Sequence, residues 1–287
     1  MKVIQTGFNY SQDGQGNRLV IHLQGCNMHC PWCANPEGMD LSGCLVTDDK
    51  WLEDWICPRG AISEKKLDRN ICTSCMDRVC LMHRNLGIRL SYTEYTIDEL
   101  FEMIEESRKM FFDGGGVTFS GGECTLQFDE LAELLQHLTR KGIHTAIETN
   151  ASHPQLPTIF PYIGQLIMDC KQTDPVLHRK WIQTDNAVTL ENIRRASQEH
   201  PDVLVRVPLI GGVNNSPMDI QNFTSFFRSV ASPCLSVEIL KYHEYGKKKW
   251  AECGKEYTMT DSAKVTQEEI LAFRKKLEEA GVRTVET

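Results

Sequence analysis

The stretch QGCNMHCPWC at residues 24–33 directly follows the apolar run LVIHL at residues 19–23. The apolar run is typical of a buried strand, which ends at Gln24 and Gly25. The cysteines that follow are Cys26, Cys30 and Cys33, in the spacing CxxxCxxC. The sequence therefore predicts a short loop, at the end of a strand, that wraps three thiolates around one point.

Three thiolates can hold a 4Fe-4S cluster and leave one of its irons without a protein ligand. A structural zinc site is the alternative, but it needs four ligands in a closed shell. The nearest candidates for a fourth ligand are His22 and His29. The spacing and its position after a strand favour the cluster, so Cys26, Cys30 and Cys33 are the predicted catalytic and metal-binding residues.

Strands and helices alternate along much of the chain, in the order that builds a parallel sheet. Helical periodicity is found at residues 97–111, 131–138 and 267–280. The strand candidates are residues 19–23, 117–119, 144–147, 165–168, 203–208 and 236–240. About six strand-helix repeats predict an α/β fold with a partial (β/α)6 TIM-like barrel, and an open doubly wound sheet is the alternative.

Polar or glycine-rich segments follow four of these strands. They are Cys26 after the first strand, residues 121–123 after the second, residues 148–150 after the third and Asp169 after the fourth. In parallel α/β folds the chemistry collects at the carboxyl ends of the strands. We therefore expect the functional site at this edge of the sheet.

The composition excludes several kinds of partner. The chain has 39 acidic and 31 basic residues and a net charge of −8, so it lacks the basic surface that nucleic acids require. Neither a signal peptide nor an apolar run long enough to span a membrane is present, so we expect a cytoplasmic protein without a membrane partner.

Eight of the twelve cysteines lie between Cys26 and Cys80. In a cytoplasmic protein of this size, such clustering favours metal binding or redox chemistry over disulfides. The cysteines outside this region are predicted to be ordinary buried thiols. They are Cys124, Cys170, Cys234 and Cys253.

The sequence resembles the radical S-adenosylmethionine (SAM) superfamily and, within it, the activating enzymes of glycyl radical enzymes. The resemblance covers nearly the whole chain outside residues 43–89. The segments that carry it are residues 24–33, 114–118, 120–123, 148–150, 169–172, 242–246 and 249–250. It implies that the open iron of the cluster binds the methionine part of SAM, and that SAM is cleaved to a 5′-deoxyadenosyl radical.

The same resemblance implies which residues bind SAM. Gly121, Gly122 and Glu123 would face its amino group, and Asp169 and Lys171 would lie near its carboxylate. Arg206 is a charge among apolar residues that needs an anionic partner, which by resemblance is also the SAM carboxylate region. The remaining implied cofactor-binding residues are Trp32 and Ala34 beside the adenine, His243 beside the adenosyl group, and Gln172 and Thr173.

Residues 43–89 are predicted to be an iron-sulfur insertion into a barrel formed by residues 1–42 and 90–287. This segment is rich in cysteine and poor in long apolar runs, as expected of a module held together by metal. It resembles part of a two-cluster ferredoxin, in which a cysteine before proline binds the distant cluster. The resemblance assigns one auxiliary 4Fe-4S cluster to Cys57, Cys72, Cys75 and Cys80. A four-cysteine zinc site is the alternative, and Cys44 could replace any of the four.

The implied function is the removal of a hydrogen atom from a backbone glycine of a partner glycyl radical enzyme. The electron donor would be of the flavodoxin or ferredoxin type. Two alternatives remain at this point: a radical SAM enzyme that acts on a small molecule or peptide, and a non-catalytic electron-transfer or metal-binding protein.

Overall fold

The computed structural model describes residues 1–72, 75, 78–83 and 87–287. Its strands, in chain order, are β1 (Lys2–Tyr10), β2 (Asn17–Leu23), β3 (Leu45–Thr47), β4 (Ile62–Ser63), β5 (Lys66–Leu67), β6 (Ile88–Leu90), β7 (Thr93–Glu94), β8 (Gly116–Gly121), β9 (Thr145–Thr149), β10 (Gln165–Asp169), β11 (Val203–Leu209) and β12 (Leu235–Lys241).

The helices, in chain order, are α1 (Arg69–Cys72), α2 (Ile97–Glu106), α3 (Phe128–Arg140), α4 (Pro175–Ile182), α5 (Ala187–Glu199), α6 (Pro217–Ser229), α7 (Lys247–Glu252) and α8 (Gln267–Glu279). Thr96 is the N-cap residue of α2, and Thr266 is the N-cap residue of α8. Each forms a capping box with the glutamate three residues later. Within the described residues, no helix has the length and apolar character needed to cross a membrane.

The central sheet follows the order β12-β11-β10-β9-β8-β2-β1-β7. Within the described residues, the six strands from β12 to β2 are parallel, while β1 and β7 are added antiparallel. The end strands β12 and β7 are not paired with each other in this part of the chain, so the sheet stays open. The predicted α/β fold with a partial barrel is confirmed.

The sheet is curled. This is shown by contacts from the loop between β1 and β2 to strands on the far side of the sheet. The backbone N–H of Gln15 donates to Oε1 of Gln165 in β10 at 3.1 Å. Arg206 in β11 donates to the carbonyl oxygen of Gln12. In a flat sheet, β2 and β10 would be three strand spacings apart, roughly 14 Å. Residues 11–16 therefore fill one end of the concave face.

Alternate side chains of the parallel strands point to opposite faces of the sheet. Leu19, Ile21 and Leu23 of β2, with Val117 and Phe119 of β8, belong to the main apolar core. The residues between them face the concave side. Those with polar side chains include Arg18, His22, Ser120, Glu148, Asp169, Arg206 and Glu238.

Several features differ from the sequence prediction, and helices α4 to α7 are among those that it did not locate. Strand β1 was not predicted, because KVIQTGFNY contains Gln5, Thr6 and Asn9 and most of its side chains are exposed, so it has no apolar alternation. Helix α2 ends at Glu106 instead of residue 111, and a 3-10 turn follows. There the hydroxyl of Ser107 donates to the carbonyl oxygen of Met103 at 2.8 Å. It thereby competes with backbone N–H groups for an acceptor of the helix.

The segment between the cysteine loop and β7 folds into small, separate pieces. Strands β3 and β6 pair antiparallel, and β4 and β5 form a second antiparallel pair. Five buried residues form a cluster distinct from the main core: Leu52, Ile56, Ile62, Cys80 and Ile88. So small a core suits the predicted insertion at residues 43–89, whose boundaries stay a prediction.

Arg206 is the centre of a buried ionic network on the concave face. Its Nη1 lies 2.5 Å from Oε1 of Glu148, and its Nε lies 2.9 Å from Oε2 of Glu238. Burial alone would lower the pKa of Arg206, but the two carboxylates outweigh it and raise that pKa. The network joins β9, β11 and β12 across the floor of the barrel.

Replacement of Arg206 by methionine should destabilise the protein by about 3–5 kcal/mol, because two carboxylates would remain buried without their cation. Urea unfolding without any ligand measures this change. The matched control is Arg195→Met, which removes an exposed ion pair to Glu199 on α5 and should have little effect. Equal stability of the two variants would contradict the structural role of Arg206.

Candidate SAM and iron-sulfur site

The three cysteines of the loop after β2 border one cavity of about 380 Å³ at the carboxyl ends of the strands. Cys30 is buried, and Cys26 and Cys33 are partly exposed. Two sulfurs already accept backbone hydrogen bonds: Met28 N–H donates to Cys26 Sγ and Asn35 N–H donates to Cys33 Sγ, both at 3.4 Å. The loop thus brings the three thiols to one wall of the cavity.

The thiols are held in a site that disfavours free thiolates. Burial raises the pKa of Cys26 to about 12, and it also raises the pKa values of Cys30 and Cys33. The positive charge of Lys171 lowers the pKa of all three thiols, against the effect of burial. Iron must therefore displace protons when it binds, and the metal supplies the charge that stabilises the thiolates.

The donor set fits a 4Fe-4S cluster with one open iron better than it fits zinc. In the described part of the chain, no three His, Cys, Asp or Glu side chains are close enough together to hold a single metal ion. His29 is exposed, and the buried Nδ1 of His22 has no hydrogen-bond partner among the described residues. Two backbone N–H donors to sulfur are the kind of contact that iron-sulfur sites use.

Gly121 and Gly122 form the adjoining wall of the cavity. A Cβ atom on Gly122 would collide with the carbonyl oxygens of Gly25 and Gly38, so only glycine allows the cysteine loop to lie against this turn. The backbone N–H of Glu123 donates to Gly25 O at 2.7 Å. This turn therefore seats the cysteine loop.

The predicted contact between the Glu123 side chain and SAM stays a prediction. Its carboxylate is fully buried and accepts hydrogen bonds from Thr125, Thr149 and Asn150. These contacts join the ends of β8 and β9. With its oxygens used in this way, the carboxylate holds the rim together and does not face the cavity.

Asp169 and Lys171 lie on the cavity wall opposite the glycines, at the end of β10. Nζ of Lys171 lies 2.6 Å from Oδ2 of Asp169. Burial favours the neutral amine, but the Asp169 carboxylate and the Cys30 sulfur outweigh it and raise the pKa of Lys171. A permanent cation therefore stands beside the thiols.

Gln172 and Thr173 do not line this cavity, and their predicted contact with the cofactor stays a prediction. Gln172 is buried; its Nε2 donates to Asp219 at 2.9 Å, and its Oε1 accepts the N–H groups of Thr173 and Asp174. Its amide is thus used to shape the start of α4. The hydroxyl of Thr173 is buried without a partner among the described residues.

The anionic partners of Arg206 in the structure are Glu148 and Glu238, and its predicted role near the SAM carboxylate stays a prediction. It does not border the cavity. Sequence correctly indicated that a buried guanidinium needs an anion. It could not identify two carboxylates that lie on neighbouring strands of the folded sheet.

Trp32, Ala34 and His243 all line the cavity, and their place around the adenosyl group stays a prediction. The ring of His243 stacks on Tyr245, with centroids 4.2 Å apart and planes 20° apart. Gly246 lies directly against Cys33 and Ala34, where a Cβ would clash with their backbone. The segment after β12 is thereby held against the cysteine loop.

The cavity also has lining residues that sequence analysis did not assign to it. They include Asp13, His22, Ser120 and Tyr242. Strand alternation could have found His22 and Ser120, because each occupies a concave position of its strand. No sequence pattern indicated Asp13, because it lies in the loop between β1 and β2 and not on a strand.

Lys249 and Trp250 on α7 clamp the exit of the cysteine loop. Nζ of Lys249 donates to Asn35 Oδ1 and Glu37 Oε1, each at 2.8 Å. The indole N–H of Trp250 donates to the carbonyl oxygen of Cys33 at 2.9 Å. Sequence similarity had singled out both residues, but without a role.

A second cavity, of about 410 Å³, is bordered by Cys57, Cys72, Cys75 and Cys80. Burial raises the pKa of Cys72 and of Cys80, and the charges of neighbouring thiols raise both further. These neighbours are Cys57 and Cys75 for Cys80, and Cys57, Cys75 and Cys80 for Cys72. Cys44 borders this cavity too, but its thiol is hydrogen-bonded to Cys253. Part of the motif, at residues 73–74 and 76–77, lies outside the described residues.

Comparison with known proteins agrees with this geometry. The model of the radical SAM superfamily matches residues 20–223. The chain belongs to the radical SAM superfamily. Within that superfamily, it is similar to activating enzymes of glycyl radical enzymes along most of its length.

Three radical SAM relatives illustrate this similarity. The 4-hydroxyphenylacetate decarboxylase activating enzyme of Clostridioides difficile strain CD196 is 32% identical, over 90% of this chain and 87% of that protein. The isethionate sulfite-lyase activating enzyme of Nitratidesulfovibrio vulgaris is 32% identical, over 83% and 82%. A solved domain of a pyruvate-formate lyase-activating enzyme from Bacteroides vulgatus is 25% identical, with a TM-score of 0.50, over 60% of this chain and 98% of that domain.

Replacement of Lys249 by methionine should loosen the radical SAM loop, because the buried Glu37 would lose its cation and Asn35 its donor. We expect the reconstituted variant to lose iron to a chelator several-fold faster than the wild type. Iron release followed by absorbance measures this rate.

Lys248→Met is the matched control, because Lys248 is 80% exposed and pairs only with Glu252 at the surface. It should release iron at the wild-type rate. Identical release from both variants would show that Lys249 does not hold the cysteine loop.

Proposed function

We propose that this chain is a radical SAM activating enzyme that installs a glycyl radical on a partner enzyme. The observation that carries the proposal is a three-thiol loop that shares one cavity with the Gly121-Gly122 turn and with the Asp169 and Lys171 pair. Three protein ligands leave one iron free to bind a substrate. Two relatives that are 32% identical to this chain are named as activating enzymes of a decarboxylase and a lyase.

Cys26, Cys30 and Cys33 would hold the cluster. When bound there, it supplies one electron to SAM, which yields methionine and a 5′-deoxyadenosyl radical. Lys171 places a cation where the methionine carboxylate would lie, and Asp169 fixes the direction of the ammonium. Trp32 and His243 supply the apolar and aromatic walls for the adenosyl group, which keep water away from the radical.

The substrate would be a backbone glycine in a loop of the partner enzyme. Its Cα–H bond breaks homolytically, the hydrogen atom passes to the 5′ carbon, and the unpaired electron remains on the glycine. The open edge of the sheet, between β12 and β7, leaves lateral room for such a loop.

The proposal includes a flavodoxin or ferredoxin type electron donor and a cytoplasmic location.

The proposal predicts two products from the anaerobically reconstituted, reduced protein. With SAM alone it should form 5′-deoxyadenosine, and with SAM and its partner glycyl radical enzyme it should produce a glycyl radical. Liquid chromatography and electron paramagnetic resonance (EPR) measure the two products. Cys30→Ala should form neither, because two thiolates cannot hold the cluster with an open iron.

A positive 5′-deoxyadenosine assay without any radical on the partner would overturn the proposed substrate. If a small molecule or short peptide then stimulated SAM cleavage, the protein would instead act on that class of substrate. Absence of SAM cleavage from a fully loaded wild-type protein would favour a non-catalytic electron-transfer protein.

We also infer one auxiliary 4Fe-4S cluster bound by Cys57, Cys72, Cys75 and Cys80. The inference is supported by the cavity that these four thiols share and by their mutual electrostatic influence. Cys44 is the weaker candidate, because its thiol already has a partner in Cys253. Four thiols would also suit zinc, so the metal content must be measured.

The reconstituted protein should therefore bind roughly eight irons, as two cubes. Cys57→Ala should lose the auxiliary cluster and keep the SAM-binding one, because only the latter depends on the loop after β2. Iron analysis and EPR with and without SAM distinguish the two clusters. Cys44→Ala is the control and should keep both.

Two results would contradict this assignment. A stoichiometric zinc content with only four irons would replace the auxiliary cluster by a zinc site. Retention of the cluster in Cys57→Ala together with its loss in Cys44→Ala would make Cys44 the ligand.

A further inference from the structure

Cys44 and Cys253 form a pair of thiols that neither cluster uses. Cys44 precedes β3 in the inserted segment, and Cys253 follows α7 near the end of the barrel. The chain segments that carry the two thiols lie side by side, because Arg69 donates to the carbonyl oxygens of both Leu45 and Glu252, and each thiol shifts the pKa of the other. Cys253 is buried, while Cys44 is partly exposed at the edge of the second cavity.

The backbones around the two thiols are tied together by other contacts. Arg69 donates to the carbonyl oxygens of Leu45 and Glu252, at 2.6 and 2.8 Å. The hydroxyl of Thr47 donates to Glu252 O at 3.2 Å. Arg69 also lies against Gly254, where a Cβ would overlap its side chain. The thiols therefore meet in a packed contact between the insertion and the barrel, so their proximity does not depend on one flexible side chain.

The surroundings give the two thiols different roles. The hydrogen bond from Cys253, with Lys255 and Arg69 nearby, lowers the pKa of Cys44. The same hydrogen bond and burial raise the pKa of Cys253. Cys44 is therefore the more acidic thiol of the pair, and Cys253 is the less acidic one. A partly exposed thiolate beside cations is the nucleophile in thiol-disulfide exchange.

We propose that Cys44 and Cys253 are a dithiol-disulfide couple that reversibly cross-links the inserted segment to the barrel. The oxidant is a low-molecular-weight disulfide. The Cys44 thiolate attacks it, forms a mixed disulfide and releases one thiolate. That thiolate takes the proton of Cys253, whose sulfur then attacks Cys44 and releases the second thiolate. The couple gives up two electrons, and the oxidant becomes two thiols.

The cross-link would act on the clamp of the SAM site. Cys253 directly follows the helix that carries Lys249 and Trp250, and these residues hold the exit of the cysteine loop. Cys44 borders the cavity assigned to the auxiliary cluster. Oxidation would therefore join the two cluster regions covalently at the point where they already touch.

The test exposes the reconstituted holoprotein to oxidised glutathione under anaerobic conditions, followed by alkylation and peptide mapping without reduction. We expect an intramolecular Cys44–Cys253 disulfide that dithiothreitol reverses, with unchanged iron content. Cys253→Ser should stop at a glutathione adduct on Cys44, and Cys44→Ser should give no adduct on Cys253. Cys234→Ser is the matched control, and it should form the disulfide as the wild type does.

Thiol reactivity provides a second measurement that does not require disulfide formation. At neutral pH, Cys44 should react with iodoacetamide several-fold faster than Cys234, and Cys253→Ser should reduce this difference. The proposal is overturned if the wild type forms no Cys44–Cys253 disulfide, or if Cys44→Ser loses iron, which would make Cys44 a cluster ligand.

Discussion

Backbone contact between the cysteine loop and the Gly121-Gly122 turn sets the geometry of the whole site. The turn ends β8 directly beside β2, and its Glu123 N–H bonds Gly25 O at 2.7 Å. Because a Cβ at Gly122 would collide with two carbonyl oxygens of the loop, the loop can approach only a glycine. The three thiols then face the end of β10, where Lys171 lies. The position of the thiols thus follows from the packing of two backbones.

The charges around the cavity are divided between two levels. At the rim, Lys171 stands beside the thiols with Asp169 as its partner, and it can meet an anionic group of a bound molecule. On the floor, Arg206 is neutralised by Glu148 and Glu238 and ties three strands together. A buried ion pair of this kind adds little net stability, but loss of one partner is costly. The floor therefore keeps the shape of the barrel while the rim provides the binding groups.

The sequence predicted the fold and the location of the site because both depend on local patterns. Apolar runs located the six parallel strands, and the cysteine, glycine and Asp169 motifs fell at strand ends that meet in a parallel sheet. The sequence missed contacts between residues far apart in the chain. Arg206 was assigned to a cofactor because its carboxylate partners lie on other strands, and Cys253 was taken for an isolated thiol because Cys44 is in the insertion. Strand β1 was missed because its exposed side chains have no periodic pattern.

The transfer of a hydrogen atom from a partner's glycine is the central claim of this account, and an isotope label tests it directly. The partner glycyl radical enzyme, prepared with glycine deuterated at Cα, would be incubated with the reduced, reconstituted protein and SAM. The account predicts one deuterium in the 5′-deoxyadenosine, measured by mass spectrometry, and a glycyl radical on the partner. Formation of 5′-deoxyadenosine without deuterium, while the partner carries no radical, would contradict it.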